Sequence, residues 1–316
     1  EAMTKSIGTD TGDNTLWIPG MLEIWDYLKN NKIFNYYIEE AHKGLEWITG
    51  STNRVCYNDE ALTDYRSGYY ILKAQKQYIT SEKPALLSFD EASQNNNSYQ
   101  HNWLSKKVVC NSARTSRGPW RLTALFDRKG LAFSKNFTAF WLKTENNNIE
   151  QNLFHKLIAA ILNSPVANAY MFDHNLDKHN RIEVFRRIPL PDFSQMDLTD
   201  FENTYNSLVS NLSEPVQDKN VVNALLLKID ALILAAYDLP PRLEKKLLDI
   251  FWGYQRPVPV EFTGYYPEGY ASYTPLADFI SESFKMSRGD KILTRYNPVK
   301  DPIISEILEW SRLADE

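Results

Sequence analysis

Lys107-Val108-Val109-Cys110-Asn111-Ser112-Ala113-Arg114-Thr115-Ser116-Arg117-Gly118-Pro119-Trp120-Arg121-Leu122-Thr123-Ala124-Leu125-Phe126 is the stretch on which the fold turns. Its two ends are short apolar or β-branched runs, the pattern of strands in a sheet. Its middle carries three arginines, two serines, a threonine and an asparagine around a Gly118-Pro119 bend, where the backbone is free to approach a ligand closely. The reading is strand, polar loop, strand. Guanidinium forks match phosphates and the guanine edge, hydroxyls match phosphate oxygens, and an asparagine amide pairs bidentately with adenine. The candidate contacts for double-stranded DNA are therefore Asn111, Ser112, Arg114, Thr115, Ser116, Arg117 and Arg121, with Lys106 and Lys135 from the flanking segments.

Outward from this stretch, Tyr69-Tyr70-Ile71-Leu72 and Thr138-Ala139-Phe140-Trp141-Leu142 read as further strands, and Asp127-Arg128-Lys129-Gly130 as a hairpin turn with Gly130 at positive φ. Residues 21–31 form a helix with Leu22, Trp25 and Leu28 at helical spacing, and a further short amphipathic stretch covers 37–40. Helical periodicity returns over 152–171, with Leu153, Leu157, Ile158, Ile161 and Leu162 on one face. Asn163-Ser164-Pro165 interrupts it, with Ser164 capping a second helix from Pro165 to Phe172. A second polar cluster follows: His174, Asn175, Lys178, His179, Asn180 and Arg181, then Arg186 and Arg187, which clamp a phosphate or cap the end of a strand. Ile188-Pro189-Leu190-Pro191 is extended, because a residue before proline is pushed out of the α region. Amphipathic helices follow over 198–212, 221–237 and 241–252, the last with Leu243, Leu247, Leu248 and Phe251 as a packing stripe. A Pro/Tyr-rich tail begins at Arg256 and ends in a helix over 303–313.

The expected class is α+β: a mixed or antiparallel sheet with packed helices, then a helical region and an extended C-terminal tail. The expected units are a helical lead-in over 1–34, a DNA-recognition domain over 35–194, a helical arm over 195–254 and the extension over 255–316. A net charge of −5 over 316 residues conceals a strong segregation. Between His101 and Lys143 nine cations face the single acid Asp127, whereas from Pro191 onward 20 acids face 12 bases. The basic region is expected to meet a polyanion and the acidic helices to hold a partner domain. No run of about 18 apolar residues is present, no charged-then-apolar leader opens the chain, and Cys56 and Cys110 show no zinc or disulfide spacing. A cytoplasmic protein without membrane association is expected.

Catalytic signatures are missing: no glycine-rich phosphate loop, no Gly-x-Ser-x-Gly elbow, no His-Glu-x-x-His. His174 and His179 with Asp173 and Asp177 carry metal-ligand chemistry, but in polar loop surroundings that are ordinary for histidine. Glu244-Lys245-Lys246 imitates part of a nuclease motif inside an amphipathic helix. No catalytic residue and no metal ligand is assigned. A metal-dependent nuclease and a protein-interaction scaffold stand as the alternatives to DNA recognition.

Lys107-Val108-Val109 with Ser112 to Arg121 and Leu122-Thr123-Ala124 resembles the central strand-loop-strand of the target-recognition domains of bacterial restriction-modification DNA adenine methyltransferases. Leu157-Ile158-Ala159-Ala160-Ile161-Leu162-Asn163-Ser164-Pro165-Val166-Ala167-Asn168 followed by Arg187-Ile188-Pro189-Leu190-Pro191 is similar to a second block of those domains. His42-Lys43-Gly44-Leu45-Glu46 resembles their opening turn. Leu239-Pro240-Pro241-Arg242-Leu243-Glu244 through Arg256-Pro257-Val258-Pro259 resembles the extension that follows them. The likeness spans residues 35–260. It implies a domain that reads the major groove while a separate domain or subunit binds S-adenosylmethionine and methylates a flipped adenine. That second part has no counterpart here: Asn297-Pro298-Val299 lacks the second proline and the aromatic of Asn-Pro-Pro-Tyr, and there is no glycine-rich methyl-donor loop. Recognition, not methylation, is what the resemblance transfers.

Overall fold

The stretch 107–126 folds into two antiparallel strands joined by a polar loop. A computed structural model describes residues 21–44, 105–128, 130, 136–143, 148–175 and 177–265, and the backbone of short strands at 55–56, 60–62, 75–76, 85–86 and 132–133. The expected strand at 69–72, Lys135 and the expected helix at 303–313 lie outside the described residues. Among those described, the strands are β1 (Ile38–Lys43), β2 (Val55–Cys56), β3 (Glu60–Leu62), β4 (Gln75–Lys76), β5 (Ala85–Leu86), β6 (Lys107–Asn111), β7 (Ala124–Asp127), β8 (Ala132–Phe133) and β9 (Phe137–Leu142). The helices are α1 (Met21–Leu28), α2 (Gln151–Asn163), α3 (Pro165–His174), α4 (Ile182–Arg187), α5 (Leu198–Ser213), α6 (Lys219–Tyr237) and α7 (Pro241–Asp249). The class is α+β, as the sequence implies.

The main sheet has the order β1-β9-β6-β7 and is antiparallel throughout. Its pairing sets Val108 opposite both Phe126 and Phe140, and Cys110 opposite both Ala124 and Thr138. Side chains alternate between faces, so Val108, Cys110, Ala124, Phe140 and Leu142 join the main core, where α2 packs across β6 and β7. Val109, Leu125, Ala139 and Trp141, on the opposite face, are buried as well. There Lys107 and Asp127, paired in register, form a fully buried salt bridge of 2.7 Å. Desolvation lowers the Lys107 pKa, partly offset by the Asp127 carboxylate. One of the nine cations of the basic region is thus internal.

Three local expectations are refined or changed. The amphipathic stretch 37–40 follows a 3-10 turn (Phe34–Tyr36) and enters edge strand β1, because the backbone of β9 offers a ladder and Ile38 and Ala41 reach the core. In α1 the inward face is Met21, Ile24 and Leu28, while Leu22 is 53% exposed. Gly130 does sit at φ 72°, its N–H held by Asp127 Oδ1. The turn does not close a hairpin, however: β8 leaves the main sheet and pairs in parallel with β3.

Ser164 caps α3 as expected, with Pro165 in its first turn. The Asn-Ser-Pro-x-x-Asn segment also does something periodicity does not reveal. Asn168 Oδ1 accepts from the backbone N–H groups of Arg121 and Leu122 (2.7 and 2.8 Å), and Asn163 bonds both backbone groups of Ala124 (2.7 and 2.8 Å). Two buried amides therefore do for the chain entering β7 what a neighbouring strand would otherwise do. Residues 188–191 are extended: Ile33 bridges Pro189, and Leu190 N–H donates to the Lys32 carbonyl.

One continuous cluster of buried side chains runs from Met21 to Tyr265 and crosses residue 194. Trp120, at the end of the polar loop, packs on Phe251 with centroids 4.3 Å apart and faces Phe262 edge-on. Arg256, 3% exposed, stacks over Trp120 and binds both oxygens of buried Asp230, which also accepts from the Tyr265 hydroxyl. α6 is long and apolar enough to cross a membrane by length and composition, and half of that window is buried inside the molecule. It packs along α5, with Leu226, Ile229, Ile233 and Leu234 in the core.

Candidate nucleic-acid interface

The loop between β6 and β7 is shaped from within. Asn111, fully buried, donates through Nδ2 to the carbonyls of Ala113 (2.5 Å) and Arg121 (2.8 Å) and accepts the Thr123 N–H at Oδ1 (2.7 Å). Thr115 and Ser116 both donate their hydroxyls to the Trp120 carbonyl at 2.8 Å. Ser112 is buried, its N–H bonded to Asn136 and its carbonyl to Asn180. The Gly118 backbone does make a close approach, but to the ring of Tyr254: an added Cβ would lie 2.5 Å from Cδ1. The Asn111 amide, expected to read a base, clamps its own loop through hydrogen bonds made inside the protein.

What remains outward is cationic. Arg117 is exposed and Arg114 half-buried, and neither side chain has a carboxylate partner among the described residues. The second polar cluster lies against the same loop: Arg114 N–H donates to the Lys178 carbonyl (2.9 Å), Ala113 bridges His179, and Asn180 N–H donates to the Ser112 carbonyl (2.9 Å). Asn180 Nδ2 also bonds the Asn111 carbonyl (3.1 Å). Exposed Lys178 and His179 thus stand beside Arg114, although some 60 residues separate them in sequence. Asn175, buried, holds this second loop by donating to the carbonyls of Asp177 and His179.

Other candidates lie elsewhere or are committed. Lys106 precedes β6 at the end remote from the loop and donates to Asn152 Oδ1 (2.9 Å). Arg181 forms an ion pair with Asp177, four residues before it in the same loop. His174 stacks on Tyr170 (4.0 Å between centroids), bonds its carbonyl and faces Trp25, whose indole N–H binds Asp173. Arg186 and Arg187 are exposed in the last turn of α4, where they complement the helix carbonyl end rather than end a strand. Arg121 is 2% exposed, with its guanidinium 5.1 Å from the Phe172 ring centroid. No group of three or more His, Cys, Asp or Glu side chains suited to a metal exists among the described residues. Half-exposed Tyr254 borders the loop through Gly118 and was not singled out from sequence, because 135 residues lie between them.

Fold and site define an α+β protein whose β6–β7 loop is joined by backbone hydrogen bonds to a second basic loop. The sequence matches no family model, and no curated protein matches it. A solved structure to which the chain is similar is that of the Type IIL restriction-modification enzyme MmeI in complex with DNA, at a TM-score of 0.32 and 12% sequence identity. That match covers 52% of this chain and 24% of the other.

Proposed function

We propose that the chain is a recognition module for double-stranded DNA, working with a restriction-modification adenine methyltransferase whose S-adenosylmethionine-binding catalytic part is a separate domain or subunit. The observation that carries the DNA reading is the union of the two polar loops, which sets exposed Lys178 and His179 beside Arg114 in a loop that also carries exposed Arg117, none of the four paired with a carboxylate among the described residues. A surface of that kind meets phosphates, and phosphate contacts dominate the affinity of DNA-binding proteins. The methyltransferase setting rests on the resemblance of the strand-loop-strand and Leu-Asn-Ser-Pro blocks, whose buried amides brace the loop.

The test is fluorescence anisotropy of labelled duplexes over a range of salt. Arg117→Ala and Lys178→Ala are each expected to weaken binding, and each lost phosphate contact lowers the salt slope by about one. A base contact would instead relax sequence choice. Wild-type affinity in both variants refutes the surface. Metal-dependent cleavage of the duplex by the purified chain would favour a nuclease.

A further inference from the structure

Arg121 is buried in an unusual way. Its Nε and Nη1 are both enclosed without a hydrogen-bond partner. Arg256 is equally buried, yet its Nη atoms hold Asp230 and the Asn163 carbonyl. The Arg121 backbone cannot drift to relieve this, because its N–H is held by Asn168 and its carbonyl by Asn111 and Asn180. The Phe172 ring flanks the guanidinium. Burial, and then the neighbouring Arg114 charge, pull the Arg121 pKa down to about 10. No carboxylate among the described residues contributes to its surroundings. Two adjacent cations, one desolvated and neither neutralised, form an arrangement that an anion relieves. A guanidinium with unpartnered N–H groups matches an oxyanion through charge-assisted hydrogen bonds.

We propose that Arg121 and Arg114 together bind one phosphate oxyanion, Arg121 from the interior and Arg114 from the rim. That the phosphate belongs to a DNA backbone rests on the DNA reading above; the oxyanion chemistry does not. Exposed Lys178, whose carbonyl holds the Arg114 backbone, adds a further cation beside it.

The experiment is thermal melting of the whole chain, with inorganic phosphate replacing chloride at constant ionic strength, beside duplex binding. Phosphate is expected to raise the Tm of the wild type. Arg121→Met, which removes a buried unpaired charge and keeps an apolar stem, is expected to melt higher than wild type in chloride and to gain nothing from phosphate. Arg114→Gln, at a half-buried site, is expected to fold normally and to lose most of the phosphate shift, which keeps the test decisive if Arg121→Met fails to fold. A full phosphate shift in Arg114→Gln or Arg121→Met overturns the site. For duplex DNA, Arg121→Met is expected to lose about tenfold in affinity, with the salt slope lower by about one. Unchanged duplex affinity in Arg121→Met beside a loss in Arg117→Ala overturns the Arg121 assignment and leaves the DNA reading intact. A phosphate shift that needs Arg121, with no duplex bound by the wild type, supports the oxyanion site and assigns it another phosphorylated ligand.

Discussion

Asn111, Thr115 and Ser116 share the chemistry of base and phosphate readers, yet their side chains bond carbonyls and an N–H of their own loop. The loop is therefore prearranged, and its cations project from a frame rather than a coil. Gly118 is part of that frame, because the Tyr254 ring occupies the space a side chain would need. Gly118→Ala is expected to cost about 1–3 kcal/mol by overpacking. In a Tyr254→Ala background the same change is expected to cost little, and a double-mutant cycle by urea denaturation measures the coupling. Equal costs in both backgrounds would show that the loop, not the ring, resists the methyl group.

The helix α2 is the element that makes the sheet usable. Its face presents Phe154, Leu157, Ile158, Ile161 and Leu162 to the core, and its C-terminal Asn163 fastens the chain at Ala124. His155 is buried on the same helix beside Phe126, with Nδ1 2.7 Å from the Gln151 carbonyl, so this nitrogen carries the proton of the neutral ring. Burial lowers its pKa from the ordinary 6.5, against the raising effect of that hydrogen bond. As pH falls through 6.5 the unfolded chain takes up a proton that the native ring refuses. The contribution of His155 is therefore intact above that value and is lost below it, by at most about 1.4 kcal/mol per pH unit. Urea unfolding at about pH 7 and about pH 5.5 is expected to show this decline in the wild type and a smaller one in His155→Phe. Identical declines would assign the acid sensitivity to other groups.

Over the whole molecule, one core joins the sheet to α5, α6 and α7. Its joints are the Trp120-Phe251 contact, the Arg256-Asp230-Tyr265 cluster and the pairing of Glu23 on α1 with Arg242 and Lys246 on α7. The exposed Glu23 pairs add little stability, whereas exposing Trp120 and its neighbours would cost the fold several buried aromatic side chains. A fragment ending at residue 194 is expected to lack a cooperative melting transition, and the full chain to unfold in one step by calorimetry. A fragment with its own sharp transition would show that the sheet unit is self-sufficient. After Pro191 some acids pair with bases of the same region, as in Lys228-Asp200 and Lys219-Glu261, whereas Arg114 and Arg117 have no carboxylate partner among the described residues.

Periodicity and proline placement alone were enough to read α2, the Ser164 cap, the helices α5, α6 and α7 and strands β6, β7 and β9, because each is set by residues close in sequence. The polar loop between β6 and β7 was legible for the same reason. Edge strand β1 was not, since its ladder comes from β9, some 100 residues away. Nor was the sorting of the loop's polar residues into clamps and free cations. Asn111 and Arg117 are both polar residues in one loop until folding brings Thr123, Asn168, Asn180 and Tyr254 around it. Burial and hydrogen-bond partnership are properties of three-dimensional neighbours, and they decided which of these side chains remain available to a ligand.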